Sequence, residues 1–169
     1  MPEENLLIGI AEVAIALTGF AGVVVVLGRR ASGPWPETDQ FQLRSLIENG
    51  LIAVLAAFLP FAARQLSDRP EVIWGLSSAA FGTIGALHAF VVQGHRAARL
   101  RAALRAEWSG TFRHVWLWAV VPASILVHTA LLLNAAGVLF PRTFGPYLVG
   151  LLWYLIVGSL FFVRSIRFG

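Results

Sequence analysis

Five apolar stretches, each about as long as a bilayer is thick, constrain this chain more than any other feature. Crossing roughly 30 Å of hydrocarbon at 1.5 Å per residue takes about 20 mostly apolar residues. The sequence supplies such runs at approximately 6–27, 43–66, 72–92, 115–140 and 144–163. Backbone groups in lipid must be satisfied within the spanning element, and the alternating pattern of barrel strands is absent, so each run is read as a helix. The expected fold class is all-α, a polytopic membrane helix bundle with five transmembrane helices forming one domain over residues 1–169. The second run is the least uniform, holding Glu48, Asn49 and Pro60. Its apolar core from Gly50 to Ala63 is nonetheless too long for a loop.

Composition agrees. Hydrophobic residues make up 57% of the chain and charged ones only 13%, with a mean hydropathy of +0.73, whereas a soluble domain carries about 25% charged residues. There is no cysteine, so disulfides, thiolate metal sites and cysteine nucleophiles are excluded. All 13 basic residues are arginine, against 9 acidic ones. They are strung between apolar runs and never gather on one soluble face, which argues against nucleic acid as a partner and leaves membrane lipid.

The arginines set the expected orientation, because short loops rich in basic residues stay on the cytoplasmic side. With the N-terminus outside, Arg29, Arg30, Arg44, Arg96, Arg99, Arg101, Arg105, Arg113, Arg164 and Arg167 fall inside, and Arg64, Arg69 and Arg142 outside. The C-terminus is then cytoplasmic. The acidic leader Pro2-Glu3-Glu4-Asn5 and the long first run differ from a secretory signal, so the first helix is expected to stay in the mature protein.

Between the third and fourth runs lies a basic arm at about 95–114, carrying Arg96, Arg99, Arg101, Arg105 and Arg113. It is rich in helix formers, with Leu100, Leu104 and Trp108 on one face. An extension of the third helix lying along the membrane surface is expected, serving either to anchor topology or to bind a partner. On the third helix, Gly75, Ser78, Gly82, Gly85 and Ala89 recur at spacings of three and four, a stripe that lets another backbone approach closely. Ala14, Thr18 and Gly22 repeat similarly on the first helix, which makes helices one and three expected neighbours. The stripe fits packing within the bundle and fits a contact between subunits.

Polar groups inside hydrocarbon are expensive and so attract attention. They are Glu12, Glu48, His88 and His128, with Thr18 and Asn134 as milder cases. Ordered by depth they form a ladder across the bilayer. A carboxylate in low dielectric needs a proton, a donor or a cation, which is how proton-relay and ion-binding groups behave. Each also has a plainer reading as a hydrogen-bonded packing group, and Arg44, one turn before Glu48, is an obvious ion-pair partner. Bis-histidine haem ligation is disfavoured, since His88 and His128 differ in depth by roughly 10 Å. No cofactor and no metal site is expected. Metalloprotease, nucleophile-elbow and phosphate-loop motifs are absent, so no catalytic residue is assigned. Pro60 and Pro122 interrupt two helices in a way that neighbouring groups can satisfy.

The opening Ile10-Ala11-Glu12-Val13-Ala14-Ile15-Ala16-Leu17-Thr18-Gly19-Phe20-Ala21-Gly22, its apolar continuation to Gly28-Arg29-Arg30 and the Trp35-Pro36 loop resemble small multi-span bacterial membrane proteins that are uncharacterised. That resemblance implies a bacterial inner membrane and no activity. Carboxylates, small-residue faces and the lack of any soluble domain together point to a homo-oligomer that passes a small ion or proton. The rival expectation is an accessory or scaffold subunit of a larger membrane complex.

Overall fold

In the computed structural model, which describes residues 3–32, 36–108 and 110–166 and the side chains of 3–23, 36–108 and 110–164, every apolar run folds as a helix. The first two are α1 (Glu4–Ser32) and α2 (Glu37–Arg64). The third is α3 (Pro70–Ala86), which continues through a π-helical segment, Leu87–Gln93, into α4 (Gly94–Arg99). After the short α5 (Arg101–Glu107), the fourth starts as α6 (Gly110–Val115), passes through a second π segment, Trp116–Val120, and becomes α7 (Val121–Ala136). The fifth is α8 (Phe144–Ile166). All regular structure among the described residues is helical, and five helices are long and apolar enough to cross a membrane. The side chains of Arg29 and Arg30, Trp35 and Arg167 lie outside the described residues.

Local chemistry explains most of the boundaries. Pro70 opens α3 where its missing N–H costs nothing, with Glu71 beside the positive helix end. α7 stops at Ala136, four residues short of the apolar run, because Gly137 turns left-handed at φ 72° and closes the helix with bonds to Leu133 and Asn134. Pro60 is accommodated inside α2 without a break. Pro122 cannot donate to the carbonyl of Trp118, and the π segment spans that point, so the helix widens where its ladder would otherwise fail.

Where lipid removes the hydrophobic drive, small residues let helices meet closely. α2 and α8 are the most enclosed spans. α1 rests on α2 and α8 rather than on α3, so the expected pairing of helices one and three does not occur. Ala14 and Thr18 serve α2 instead, whereas a Cβ at Gly22 would meet open space. Ala14 is fully buried, and Thr18 donates to its carbonyl at 2.8 Å while lying so close to Gly50 that no Cβ fits there. Spacing identified a close-packing face, but it carries no information about which helix meets it.

The stripe on α3 packs mainly against α7. Gly75 lies under the Arg142 side chain, Gly82 against Leu131 and Leu132, and Gly85 against His128 and Tyr154. One buried cluster gathers Ala11, Ala53, Phe81, Leu131, Tyr147 and Leu151 from all five spans. A second lies at the arginine-rich end and takes in the arm through Leu104 and Trp108, which pack with Phe41, Val120 and Phe161. The helix does extend beyond the third span, but it bends at Leu100 (φ −92°, ψ 12°), which folds α5 back over the bundle. Thr38 donates to Glu107 at 2.7 Å, Arg164 donates to the Glu107 carbonyl at 3.2 Å, and the Arg164 guanidinium sits over the Phe112 ring at 4.8 Å. These contacts fasten the arm to α2 and α8.

Candidate functional site

The ladder of polar residues resolves into five separate environments, one of them that of Thr18 against Gly50. Glu48 on α2 is surrounded by two arginines and a histidine. Arg44 Nε donates to it at 2.8 Å, one Arg96 nitrogen reaches both of its oxygens at 2.7 Å, and His88 Nε2 lies 3.0 Å away. The pair with Arg44 is the one that sequence spacing suggests. The other two partners arrive from the third span, where His88 sits in the π segment and Arg96 on α4. The cluster therefore ties two spans together near the arginine-rich end.

His128 on α7 is 3% exposed and fully engaged. Its Nδ1–H donates to the Ser124 carbonyl at 2.6 Å, which leaves Nε2 to accept from the Tyr154 hydroxyl at 3.2 Å. Gly85 makes this possible, since a Cβ there would stand 2.6 Å from the Tyr154 oxygen and 2.8 Å from His128 Nε2. Trp153 Nε1 donates to the Ser124 hydroxyl at 3.1 Å. Asn134, fully buried, donates to Ser78 Oγ at 2.8 Å and to the Thr143 carbonyl at 2.9 Å, and accepts from the Thr143 N–H at 3.0 Å. It clamps the α7–α8 turn to α3. Among the described residues no hydrogen bond joins the Glu48, His128 and Asn134 groups to one another.

Glu12 differs from all of these. It is exposed on the outer side of α1, on a face shared with Ile8, Ile15, Gly19 and Val23. It lies about 12 Å along the helix from Glu4, whose carboxylate accepts from Arg64 at 2.6 Å. A Cβ at Gly19 or Gly22 meets nothing within 4 Å. Thr18, turned toward α2, does not share this face.

A cavity of about 390 Å³ lies at the arginine-rich end. Both π segments border it, Ala89, Phe90 and Gln93 from one and Trp116, Leu117 and Val120 from the other. Its walls are mainly apolar, with His128, Tyr154 and Ser124 at its deep end and Arg101, Arg105 and Arg113 at its mouth. Arg99 does not line it, and Arg96 is engaged by Glu48. Sequence reasoning missed Tyr154, Trp153 and Gln93, and had Trp108 only as part of the apolar face of the arm. The i, i+4 pair Ser124 and His128 was visible on α7, but nothing in the pattern of α8 marks Tyr154 as their neighbour.

No group of three or more metal-ligating side chains is assembled among the described residues. No family model, curated protein or solved structure matches the chain.

Proposed function

We propose that this multi-pass membrane protein self-associates through the outer face of α1 and passes a small cation or proton between copies, with Glu12 as the titrating or coordinating group. The carrying observation is the exposure of Glu12 in the midst of an apolar helix face. An ionisable side chain turned toward hydrocarbon is costly and belongs against a partner or a wet passage. Glu48, His128 and Asn134 all have partners within the protomer, which leaves Glu12 as the ionisable group of the ladder still in want of one among the described residues. Gly19, two turns further along the same face, permits close helix approach. Under the positive-inside rule the arginine-rich end faces the cytoplasm, and Glu12 lies nearer the outer surface. The bacterial inner membrane is the setting this reading assumes.

The cysteine-free sequence makes the contact testable. Gly19→Cys should form a disulfide-linked dimer in membranes under mild oxidation, while Leu126→Cys, on the outward side of α7, should not. In liposomes, cation or proton flux should fall by at least about tenfold in Glu12→Gln, the loss expected of a group that carries the ion itself. Unchanged flux removes Glu12 from the pathway. If Gly19→Cys yields no homodimer but links to a larger native protein, α1 is instead the docking face of an accessory subunit.

A further inference from the structure

The cavity at the arginine-rich end has the shape and polarity of a site for an amphiphile. We infer that it holds one acyl chain of an anionic phospholipid, with the headgroup phosphate on Arg101, Arg105 and Arg113. Four observations converge. The cavity, at about 390 Å³, falls within the range of roughly 300–1,000 Å³ typical of small-molecule sites. It extends along the fourth span from Arg113 to His128, about 22 Å of helix, so it begins at the membrane edge and reaches into the middle of the bilayer, as a chain of one leaflet does. Exposed Phe90, Leu117 and Val121 border it between the third and fourth spans, giving a side entrance from the lipid phase.

The polar groups near the mouth share one sign. Besides the three arginines, Gln93 Nε2 and Trp108 Nε1 border the cavity as buried donors without a partner. No acidic side chain lines it. Buried donors left unpaired are costly, so this rim is complementary to an acceptor-rich anion such as a phosphodiester with its ester carbonyls. Apolar walls and a cationic rim together require both a chain and a charge in one molecule.

The arm explains how the site is assembled. Leu104 and Trp108 are anchored in the bundle and form part of the wall, which holds Arg101 and Arg105 of α5 over the opening. The two π segments widen facing helices at this level and make the space that regular helices would close. The site is independent of α1 and of Glu12.

Native mass spectrometry of the full chain in detergent tests this. A one-to-one complex with phosphatidylglycerol should form at lipid concentrations about tenfold lower than with phosphatidylcholine of the same chains. Replacing the three rim cations together, Arg101→Gln, Arg105→Gln and Arg113→Gln, should erase that preference while leaving the fold intact by circular dichroism. Filling the cavity with Ala89→Phe and Ala97→Phe should weaken both lipids alike. Glycerol phosphate, with the charge and no chain, should fail to displace the lipid at hundredfold excess. Equal binding of both phospholipids by the natural chain, or displacement by glycerol phosphate, overturns the inference. So does an anionic preference that survives the arginine replacements.

Discussion

Replacing Asn134 with leucine removes a clamp that the bundle uses at three points. The side chain makes three hydrogen bonds, to Ser78 Oγ, to the Thr143 carbonyl and from the Thr143 N–H. Hydrogen bonds within membrane bundles average roughly 0.6 kcal/mol each, so their loss comes to about 2 kcal/mol. Thr143 is exposed and its backbone can turn to water, but Ser78 is fully buried. Its stranded hydroxyl adds about 1 kcal/mol. Leucine has nearly the same volume, so packing contributes little to the difference. The expected cost of Asn134→Leu is therefore about 2–3 kcal/mol. The assay is reversible unfolding of the purified protein in mixed micelles as dodecyl sulfate is raised, followed by tryptophan fluorescence. Adding Ser78→Ala should recover part of the loss, because the orphaned hydroxyl is then gone. A cost below about 0.5 kcal/mol for Asn134→Leu, or strict additivity with Ser78→Ala, refutes the clamp.

Two further substitutions probe the neighbouring groups by the same unfolding measurement. Gly85→Ala drives a Cβ into the Tyr154 hydroxyl and His128 Nε2 and should cost about 1–3 kcal/mol, whereas Gly19→Ala, facing open space, should shift stability by under about 0.5 kcal/mol. Glu48→Gln leaves Arg44, Arg96 and His88 without their shared anion. Combined with Arg96→Gln it should cost clearly less than the two single changes added, by at least about 0.5 kcal/mol, and additive losses would dissolve the cluster into independent contacts.

The five spans were legible in the sequence because their length is imposed by the bilayer and is indifferent to tertiary detail. Their ends were less so. α2 begins at Glu37 rather than near residue 43, since its polar first turns are packed, with Thr38 and Gln42 both buried and Thr38 bonded to the arm. Hydropathy reads such turns as loop. The π segments left no trace either. Pro122 marks a missing donor, but the segment at Leu87–Gln93 contains no proline at all. Among the polar residues, Glu48 and Arg44 could be paired from spacing alone, whereas Arg96 and His88 join them only through the packing of the third span on α2. Depth along the helices orders the ladder but carries no information about contact. Azimuth decides contact, and azimuth separates Glu12, facing outward, from Thr18, facing α2. The cavity was invisible because its wall is drawn from six of the helices and both π segments.

A π turn stores a surplus residue, and that gives the two helices flanking the cavity an unusual tolerance. Deleting one residue from an ordinary transmembrane helix swings everything beyond it by about 100° about the axis. Deleting one within Leu87–Gln93 or Trp116–Val120 lets the widened turn tighten into regular α-helix, with the flanking faces held in phase. Arg96 would still find Glu48 and His128 would still find Tyr154, while the chamber between them narrowed. Shortening by a single codon thus offers a means of closing the chamber without dismantling the bundle around it.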